Sequence, residues 1–289
     1  MPHSPLASPS ATLDVLRAHG LHAKKSLGQH FLVDDNVVGR ILALAGLSAA
    51  DAVLEVGPGI GTLTLALCRT AGAVVAVERD AELLPVLAET TAACPEVRVV
   101  HADALHLAPE ELSTPLGPPT ALVANLPYAV AATVVLRALQ GLPSLRQATV
   151  MVQSEVADRM SASPGGKEYG AYTVKLRLVA APAGRFPVSR RSFLPPPNVD
   201  SAVIRLERAG RPEPAEELAG AAGAANAAFA QRRKTLRNSL ASSLGASPEA
   251  VAAALVEAGV DGARRAETLD VEEYLALGRA LLAAGLLRG

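Results

Sequence analysis

The amino-acid sequence predicts an α/β fold, in which a mostly parallel β-sheet is covered by α-helices on both faces and is followed by a small all-α domain. Short apolar segments, typical of buried strands, alternate with helical segments from Ala52 onward, and this alternation indicates a parallel sheet. Beyond Pro212 the composition becomes rich in alanine and helical in pattern. At 289 residues, 50% of them hydrophobic, the chain is long enough for about two domains with a sizeable core.

Hydrophobic periodicity and turn residues predict the elements in order. A short helix is expected over residues 12–19, and Asp34 or Asp35 caps a second helix. The predicted strands are 52–56, 73–78, 97–101, 120–124 and 147–152. The predicted helices between them are 61–70, 81–93, 109–112 and 130–140. Residues 169–181 have a helical pattern, and residues 201–207 alternate like a last strand.

Composition divides the chain into three parts. Residues 1–23 are predicted to form an N-terminal tail and a short helix, and the proline- and serine-rich stretch 1–10 is expected to be disordered. Residues 24–208 form the α/β domain. Residues 209–289 form the C-terminal domain, in which an alanine- and glycine-rich helix of closely packing small residues is followed by helices near 233–243, 248–257 and 271–284.

Charge and cysteine content limit the classes of function. A net charge of −1 argues against a uniformly basic surface, so any contact with nucleic acid must depend on local clusters. Such clusters occur at Lys24 and Lys25, at Arg185 with Arg190 and Arg191, and at Arg232, Arg233, Lys234 and Arg237. Cys68 and Cys94 are interpreted as buried apolar residues of a reducing cytosol. The spacing of the histidines is not that of metal ligands. The apolar stretches are shorter than the ~20 residues of a membrane span, and no signal peptide is recognised.

A glycine turn follows the first predicted strand of the sheet. Gly57, Gly59 and Gly61 suit a tight strand-to-helix turn, where the backbone approaches a ligand without interference from Cβ atoms. The spacing differs from the G-x-G-x-x-G dinucleotide fingerprint, and it fits a turn that holds a small nucleoside better than one that cradles a pyrophosphate. A tight turn without a ligand is the alternative, because α/β folds use such turns freely.

Polar residues follow the next strands at the same edge of the sheet. Glu78, about twenty residues beyond the glycines, is placed to accept hydrogen bonds from ribose hydroxyls. Asp103 is a candidate acceptor for an adenine amine, although it also suits a turn cap. Asn125 ends the fourth strand. Ligands bind beyond the carboxyl ends of parallel strands, so together these residues indicate a nucleoside pocket.

The Asn-Leu-Pro-Tyr sequence at residues 125–128 suggests a reaction at an adenine amine. The lone pair of that amine is delocalised into the ring, so alkylation requires two acceptors that hold its hydrogens, here the Asn125 side-chain oxygen and the Leu126 carbonyl. Pro127 stiffens the turn, and Tyr128 is placed to stack on a flipped base. Phe193, on a proline-stiffened loop, is a candidate for the opposite face of the base. The alternative is a plain turn with Tyr128 packed in the core.

These residues resemble the small-subunit ribosomal RNA adenine dimethyltransferases. The matching stretches are residues 25–32, 55–64, 125–128, 193–201 and 229–240. The resemblance implies a Rossmann-like S-adenosylmethionine-dependent methyltransferase fold, with a mostly parallel seven-stranded sheet and a small all-α C-terminal domain. It implies dimethylation of two adjacent adenosines in a 3′-terminal hairpin of 16S rRNA, with 16S rRNA in the 30S subunit or its precursor as the partner. We expect a cytoplasmic monomer with a role in ribosome biogenesis, no metal and no membrane contact.

The resemblance also implies roles for individual residues. The implied cofactor contacts are His30, Leu32, Gly57, Gly59, Gly61, Glu78, Asp103 and Asn125. The implied catalytic and base contacts are Asn125, Leu126, Pro127, Tyr128 and Phe193. The chain departs from the family pattern at His30, where many members carry Asn, and at Asn198, where Lys is common.

The basic tract has its own interpretation. On a helix, Arg233 and Arg237 lie four residues apart, so with Arg232 and Lys234 they form a stripe that suits RNA phosphates. The alternative is a solvated helix face.

Three other functions are alternatives. A 23S rRNA adenine methyltransferase of the macrolide-resistance type shares the Asn-Leu-Pro-Tyr turn, but residues 231–240 favour the small-subunit enzyme. An NAD-dependent short-chain dehydrogenase is disfavoured, because Tyr172 and Lys175 are three residues apart instead of four. A small-subunit assembly factor, whose methylation is secondary, is compatible with the first reading.

Overall fold

A computed structural model describes residues 2–23 and 29–287 of the chain. Contacts between Cα atoms divide the chain into two compact units. The first comprises Met1–Ala157 and Pro182–Arg208, and the second comprises Asp158–Ala181 and Ala209–Gly289. The second unit therefore takes in a segment from within the 24–208 range as well as the C-terminal helices.

The strands of the chain form one large sheet and one short ribbon. The seven-stranded sheet has the order β4-β3-β2-β5-β6-β9-β7, and β1 pairs with β8 in the ribbon. The strands are β1 (Phe31–Leu32), β2 (Ala52–Val56), β3 (Ala73–Glu78), β4 (Val97–His101), β5 (Ala121–Asn125), β6 (Gln147–Gln153), β7 (Ala180–Val188), β8 (Phe193–Leu194) and β9 (Ser201–Arg208). Neighbours from β4 to β6 are parallel, whereas β9 is antiparallel to β6. The predicted mostly parallel seven-stranded sheet is confirmed.

The edge strand β7 of the large sheet was not predicted from the sequence, and neither were the two short strands β1 and β8. The helix predicted over residues 169–181 is wrong at its C-terminal end, because the helix ends at Arg177 and β7 begins at Ala180. Pro182 and Pro187 lie within β7. Proline is tolerated in an edge strand, where an N–H group on one side needs no partner.

The helices of the chain follow the predicted order with adjusted ends. They are α1 (Pro9–Ala18), α2 (Asp35–Ala45), α3 (Thr62–Leu67), α4 (Leu84–Thr90), α5 (Ala131–Gly141), α6 (Ser154–Ser161), α7 (Ala171–Arg177), α8 (Ala215–Phe229), α9 (Leu236–Leu244), α10 (Pro248–Glu257) and α11 (Val271–Ala283). Asp34 is the N-cap of α2, since its carboxylate accepts hydrogen bonds from the backbone N–H groups of Asn36 and Val37. Within the described residues, no helix is both long and apolar enough to cross a bilayer.

The N-terminal segment is ordered, so the disordered tail expected over residues 1–10 is wrong for residues 2–10. The backbone N–H groups of His3 and Ser4 donate to the carboxylate of Asp35 at 3.0 and 2.8 Å. Leu6 is buried. The pairing with α2 and the burial of an apolar side chain offset the entropy lost on ordering.

Strand order places the candidate site. From β2 the chain proceeds outward through β3 to β4, and it then returns to the other side of β2 with β5 and β6. The strand order therefore reverses between β2 and β5, and ligands of open α/β sheets bind in the crevice beyond the carboxyl ends of the strands at such a point. The strands β2, β3 and β5 end there at Val56, Glu78 and Asn125.

The second unit is built from closely packed helices. At Gly278 of α11, an added Cβ atom would lie 2.5 Å from the backbone nitrogen of Ala221 in α8. Only glycine fits there, so the two helix backbones approach each other closely. Ala224, Ala225 and Ala228 of α8 join the hydrophobic cluster of this unit. The prediction of a helix of closely packing small residues is confirmed.

Candidate active site

A cavity of about 580 Å³ lies at the carboxyl ends of β2, β3 and β5. This volume is within the usual range of small-molecule sites. The predicted site residues that line it are His30, Leu32, Gly57, Gly59, Glu78, Asp103, Asn125, Leu126, Pro127 and Tyr128. Gly61 and Phe193 do not line it.

The glycine turn forms one wall of the cavity. Gly57 and Gly59 adopt φ angles of +72° and +62°, in the left-handed region that favours glycine. A Cβ atom on Gly57 would approach Pro127 to 3.3 Å, and one on Gly59 would approach the Phe31 ring to 3.4 Å. Gly61, at φ +91°, is the N-cap of α3 and packs near Thr90 instead of facing the cavity.

Glu78 ends β3 and holds the glycine turn. One carboxylate oxygen accepts a hydrogen bond from the Gly59 N–H at 3.2 Å, and the other accepts from the Asp80 N–H at 2.8 Å. Burial raises the pKa of Glu78, and these hydrogen bonds oppose that rise. Each carboxylate oxygen retains a further lone pair, so Glu78 can also accept hydrogen bonds from a ligand's hydroxyl groups.

Glu55 is a cavity residue that the sequence reasoning missed. Its side chain is 1% exposed, and its Oε2 atom has no hydrogen-bond partner among the described residues. Burial raises the pKa of Glu55 to about 8, and the nearby charge of Glu78 adds to this rise. The signal was present, because an acid within the otherwise apolar β2 is unusual.

Asp103 caps the turn after β4 and also lines the cavity, and its contact with an adenine amine stays a prediction. It lines the cavity, and its Oδ1 atom accepts a hydrogen bond from the Leu105 N–H at 3.0 Å, which caps the turn after β4. Its Oδ2 atom lies 3.6 Å from a guanidinium nitrogen of Arg79. The carboxylate is thus both a turn cap and part of the wall.

Asn125 and Leu126 each contribute a hydrogen-bond acceptor to the cavity wall. The Asn125 Nδ2 atom donates to the His30 carbonyl oxygen at 3.4 Å, which directs the Oδ1 atom away from that carbonyl. The Leu126 N–H donates to the Met151 carbonyl at 3.1 Å and continues the pairing of β5 with β6. Within the described part of the chain, no donor pairs with the Asn125 Oδ1 atom or with the Leu126 carbonyl oxygen.

Tyr128 is half-buried at the cavity wall instead of packed in the core. Its hydroxyl group lies 2.7 Å from the Ser201 Oγ atom. Its ring stacks on the imidazole ring of His30, with centroids 5.7 Å apart and planes inclined by 27°. Burial raises the pKa of Tyr128, so its phenol is protonated at neutral pH.

Phe193 lies elsewhere. It belongs to β8, pairs with Leu32 of β1, and is 3% exposed within the hydrophobic core. The structure does not bring its ring to the cavity. The proline-rich segment contacts the site through Pro195, whose carbonyl oxygen lies 2.7 Å from the Nδ1 atom of His30.

The basic tract of the second unit is a turn followed by a helix. The single helical stripe predicted there is wrong, because α9 begins at Leu236 and Arg233 and Lys234 precede it. All four cations of the tract are exposed. Arg232 donates to the backbone carbonyl oxygens of Tyr169 and Lys167, at 2.9 and 3.2 Å.

Two other predicted features can be placed in part. Lys24, Lys25 and the rest of residues 24–28 lie outside the described residues, whereas Gln29 to Leu32 of the same motif line the cavity. Cys68 and Cys94 are free thiols. Among the described residues, no cluster of three or more His, Cys, Asp or Glu side chains is arranged to hold a metal ion.

A family model described as ribosomal RNA adenine dimethylase matches residues 20–281 of the chain. The chain belongs to this family. Among curated relatives, the ribosomal RNA small subunit methyltransferase A of Pelotomaculum thermopropionicum is 42% identical over 97% of this chain and 98% of its own length. The protein of the same name from Geobacillus thermodenitrificans is 41% identical over the same shares.

Solved structures confirm the fold of this adenine dimethylase. A dimethyladenosine transferase from Plasmodium falciparum has a TM-score of 0.74 at 22% identity, and covers 89% of this chain and 98% of its own. The 23S rRNA methyltransferase ErmE has a TM-score of 0.65 at 30% identity, and covers 87% of this chain and 99% of its own. The predicted Rossmann-like methyltransferase fold is therefore confirmed.

The cavity of the adenine dimethylase fits S-adenosylmethionine, the methyl donor that the family and fold imply. Glu78 offers acceptors for ribose hydroxyls, and the glycine turn leaves room against the backbone. The acids Glu78 and Asp103 line the cavity, which suits a ligand that carries a sulfonium and an ammonium group. The unpartnered Oε2 atom of Glu55 provides a further acceptor.

Proposed function

We propose that the protein transfers methyl groups from S-adenosylmethionine to two adjacent adenosines in the 3′-terminal hairpin of 16S rRNA, within the 30S subunit or its precursor. The observation that carries this proposal is the pair of unengaged acceptors, Asn125 Oδ1 and Leu126 O, beside the half-buried ring of Tyr128 in the cavity wall. A cytoplasmic monomer with a role in ribosome biogenesis is part of the same proposal.

The cofactor end of the cavity is assigned to the glycine turn and the acids. Glu78 accepts from ribose hydroxyls, Asp103 accepts from the adenine amine of the cofactor, and the glycine turn lets the cofactor approach the backbone closely. His30, Leu32 and Asn125 complete the proposed wall. When bound, S-adenosylmethionine supplies an electrophilic methyl group on a sulfonium and is left as S-adenosylhomocysteine.

The acceptor end prepares the target amine. Asn125 Oδ1 and Leu126 O accept hydrogen bonds from the two N–H groups of the amine. The nitrogen therefore becomes pyramidal, and its lone pair points toward the methyl donor. Tyr128 stacks on the flipped base, and Pro127 stiffens the turn that joins these groups. With the cofactor bound, the nitrogen would form the new N–C bond as the S–C bond of the sulfonium breaks, and the extra proton of the amine would pass to water. Most of the acceleration comes from this positioning.

The second unit is assigned to the RNA backbone. Arg232, Arg233, Lys234 and Arg237 are exposed on or next to the turn between α8 and α9. Exposed cations of this kind contact phosphates and make affinity depend on salt. Since Arg232 is also tied to two backbone carbonyls, the other three cations carry the proposed contacts.

The proposed substrate is supported by the sequence identities between this chain and its relatives. The relatives at 41% and 42% identity are both named as small-subunit enzymes, whereas ErmE, named as a 23S rRNA enzyme, is 30% identical. The alternative is therefore an adenine methyltransferase of 23S rRNA, and a small-subunit assembly factor with secondary methylation is a further one.

The test is methyl transfer from labelled S-adenosylmethionine to 30S subunits that lack adenine methylation and, in parallel, to protein-free 23S rRNA. We expect label on the 30S subunits only, recovered as dimethyladenosine. Label on 23S rRNA alone would show that the protein is the alternative enzyme, an adenine methyltransferase of 23S rRNA. Binding of 30S subunits without any transfer would support an assembly factor.

A further inference from the structure

His30 connects three parts of the candidate site. Its backbone carbonyl oxygen accepts from Asn125 Nδ2 at 3.4 Å. Its Nδ1 atom lies 2.7 Å from the Pro195 carbonyl oxygen. Its ring stacks on Tyr128. His30 therefore joins the segment of Asn125 and Tyr128 to the proline-rich segment.

The bond to Pro195 fixes the imidazole ring. A carbonyl oxygen can only accept, so the Nδ1 atom carries the hydrogen and donates it. The N–H bond lies in the plane of the ring, so a hydrogen bond to the Pro195 carbonyl oxygen fixes the orientation of that plane. The ring therefore presents a defined face to Tyr128.

Tyr128 needs such a face contact. Its hydroxyl group is anchored on Ser201, but that oxygen lies on the axis about which the ring rotates. A hydrogen bond on the rotation axis fixes the position of the ring and leaves its plane free. A stacked neighbour fixes the plane.

We propose that His30 is a positioning residue, which sets the plane of the Tyr128 ring and thereby the plane of the adenine that stacks on it. This inference rests on the proposed function, because it assumes that Tyr128 receives the target base. It assigns His30 a role toward the target base beyond its implied contact with the cofactor.

Two substitutions test the aromatic ring of His30 and its hydrogen-bond donor separately. His30→Phe keeps a ring for Tyr128 and loses the donor for Pro195. His30→Asn keeps a donor and loses the ring. At saturating cofactor and RNA, we expect kcat to fall roughly ten-fold in His30→Asn, which loses the stacked ring, and to fall less in His30→Phe, which keeps the ring and loses only the donor that orients it. Because His30 also lines the cofactor end of the cavity, the Kd for S-adenosylmethionine is measured by calorimetry on the protein alone in both variants, and kcat is compared only where the cofactor is saturating.

The motion of the ring supplies a readout that needs no RNA. The chain has only four tyrosines, so ring signals of ¹³C-labelled tyrosine are readily assigned with a Tyr128→Phe variant. We expect faster flipping of the Tyr128 ring in His30→Asn than in the wild-type protein and in His30→Phe. Equal flipping rates in all three proteins would overturn the proposal.

Other outcomes are equally decisive. A ten-fold rise in the Kd for S-adenosylmethionine with unchanged kcat would make His30 a cofactor contact only. A lowered Tm with unchanged kcat and ring motion would make it a packing residue only. A Tyr128→Ala variant with wild-type activity would instead overturn the assignment of Tyr128 in the proposed function, and the ring-flip result would still decide whether His30 fixes Tyr128.

Discussion

The carboxylate of Glu78 accepts a hydrogen bond from the Gly59 N–H at 3.2 Å, which links the end of β3 to the glycine turn that follows β2. The other carboxylate oxygen accepts from the Asp80 N–H. Both oxygens therefore face backbone donors. The same side chain that is proposed to bind the ribose also holds the turn on which the cofactor rests.

Glu78→Gln is predicted to weaken cofactor binding. A carboxamide has one oxygen, so its NH₂ group must face either the Gly59 or the Asp80 N–H, and one buried donor loses its partner. We expect the Kd for S-adenosylmethionine to rise at least about ten-fold, the typical cost of one such donor. Calorimetry measures this, with the exposed Glu249→Gln as the matched control. An unchanged Kd in Glu78→Gln would remove Glu78 from the site.

Glu55 is predicted to make stability depend on pH. Its folded-state pKa of about 8 lies above the ordinary value of 4.5, so the native protein retains a proton that the unfolded chain releases. Stability from this group is fully present below pH 4.5 and is lost as the pH rises toward 8. The loss amounts to at most about 1.4 kcal/mol per pH unit within that window.

Glu55→Gln removes this titration. Urea unfolding at several pH values between 5 and 9 should show a wild-type stability that falls with pH relative to the variant, with the largest gap above pH 8. Glu249→Gln should follow the wild-type protein throughout. Parallel curves for Glu55→Gln and the wild-type protein would contradict a raised pKa at Glu55.

Asn125→Ala is predicted to abolish methyl transfer and to leave binding of the 30S subunit intact. The substitution removes one of the two acceptors proposed to hold the target amine. We expect a fall in kcat of about 10²-fold or more, as for the loss of one preorganised transition-state contact. Labelled-methyl assays and subunit pelleting measure the two properties, with the exposed Asn36→Ala as the control. Full activity in Asn125→Ala would exclude this mechanism.

The double substitution Arg233→Gln with Arg237→Gln is predicted to flatten the salt dependence of RNA binding. Each phosphate contact contributes about 0.7–0.9 to the slope of log K against log salt concentration, so the magnitude of the slope should fall by about 1.4–1.8 when two contacts are lost. Arg279→Gln is the matched control, because Arg279 is paired with Glu217 in the same unit. An unchanged slope in the double variant would show that these two cations do not contact RNA phosphates.

Much of the fold was predictable from the sequence, because its signals are local. The strands β2 to β6 are short apolar runs bounded by turn residues, and β9 alternates with period two. The edge strand β7 was not predictable, since Pro182 and Pro187 are normally signs against a strand. The order of the N-terminal residues depends on Asp35, a partner about thirty residues away, which no local pattern reveals.

The site was predictable to the extent that it follows strand ends. Glu78, Asp103 and Asn125 were placed at one rim because parallel strands deliver their carboxyl ends to the same edge. Glu55 was missed because it lies inside a buried strand, where its neighbours suggest a purely apolar role. The position of Phe193 depends on the pairing of β8 with β1, a contact between segments more than 150 residues apart.

The most direct test of the central claim is the product on 16S rRNA. Subunits that lack adenine methylation are incubated with the protein and S-adenosylmethionine, and the 3′-terminal fragment of their rRNA is isolated and analysed by mass spectrometry. The proposed function predicts dimethyladenosine at two adjacent positions of that fragment with the wild-type protein, and none with Asn125→Ala. An unmodified fragment after incubation with the wild-type protein, with methyl groups found at another site or in another RNA, would contradict it.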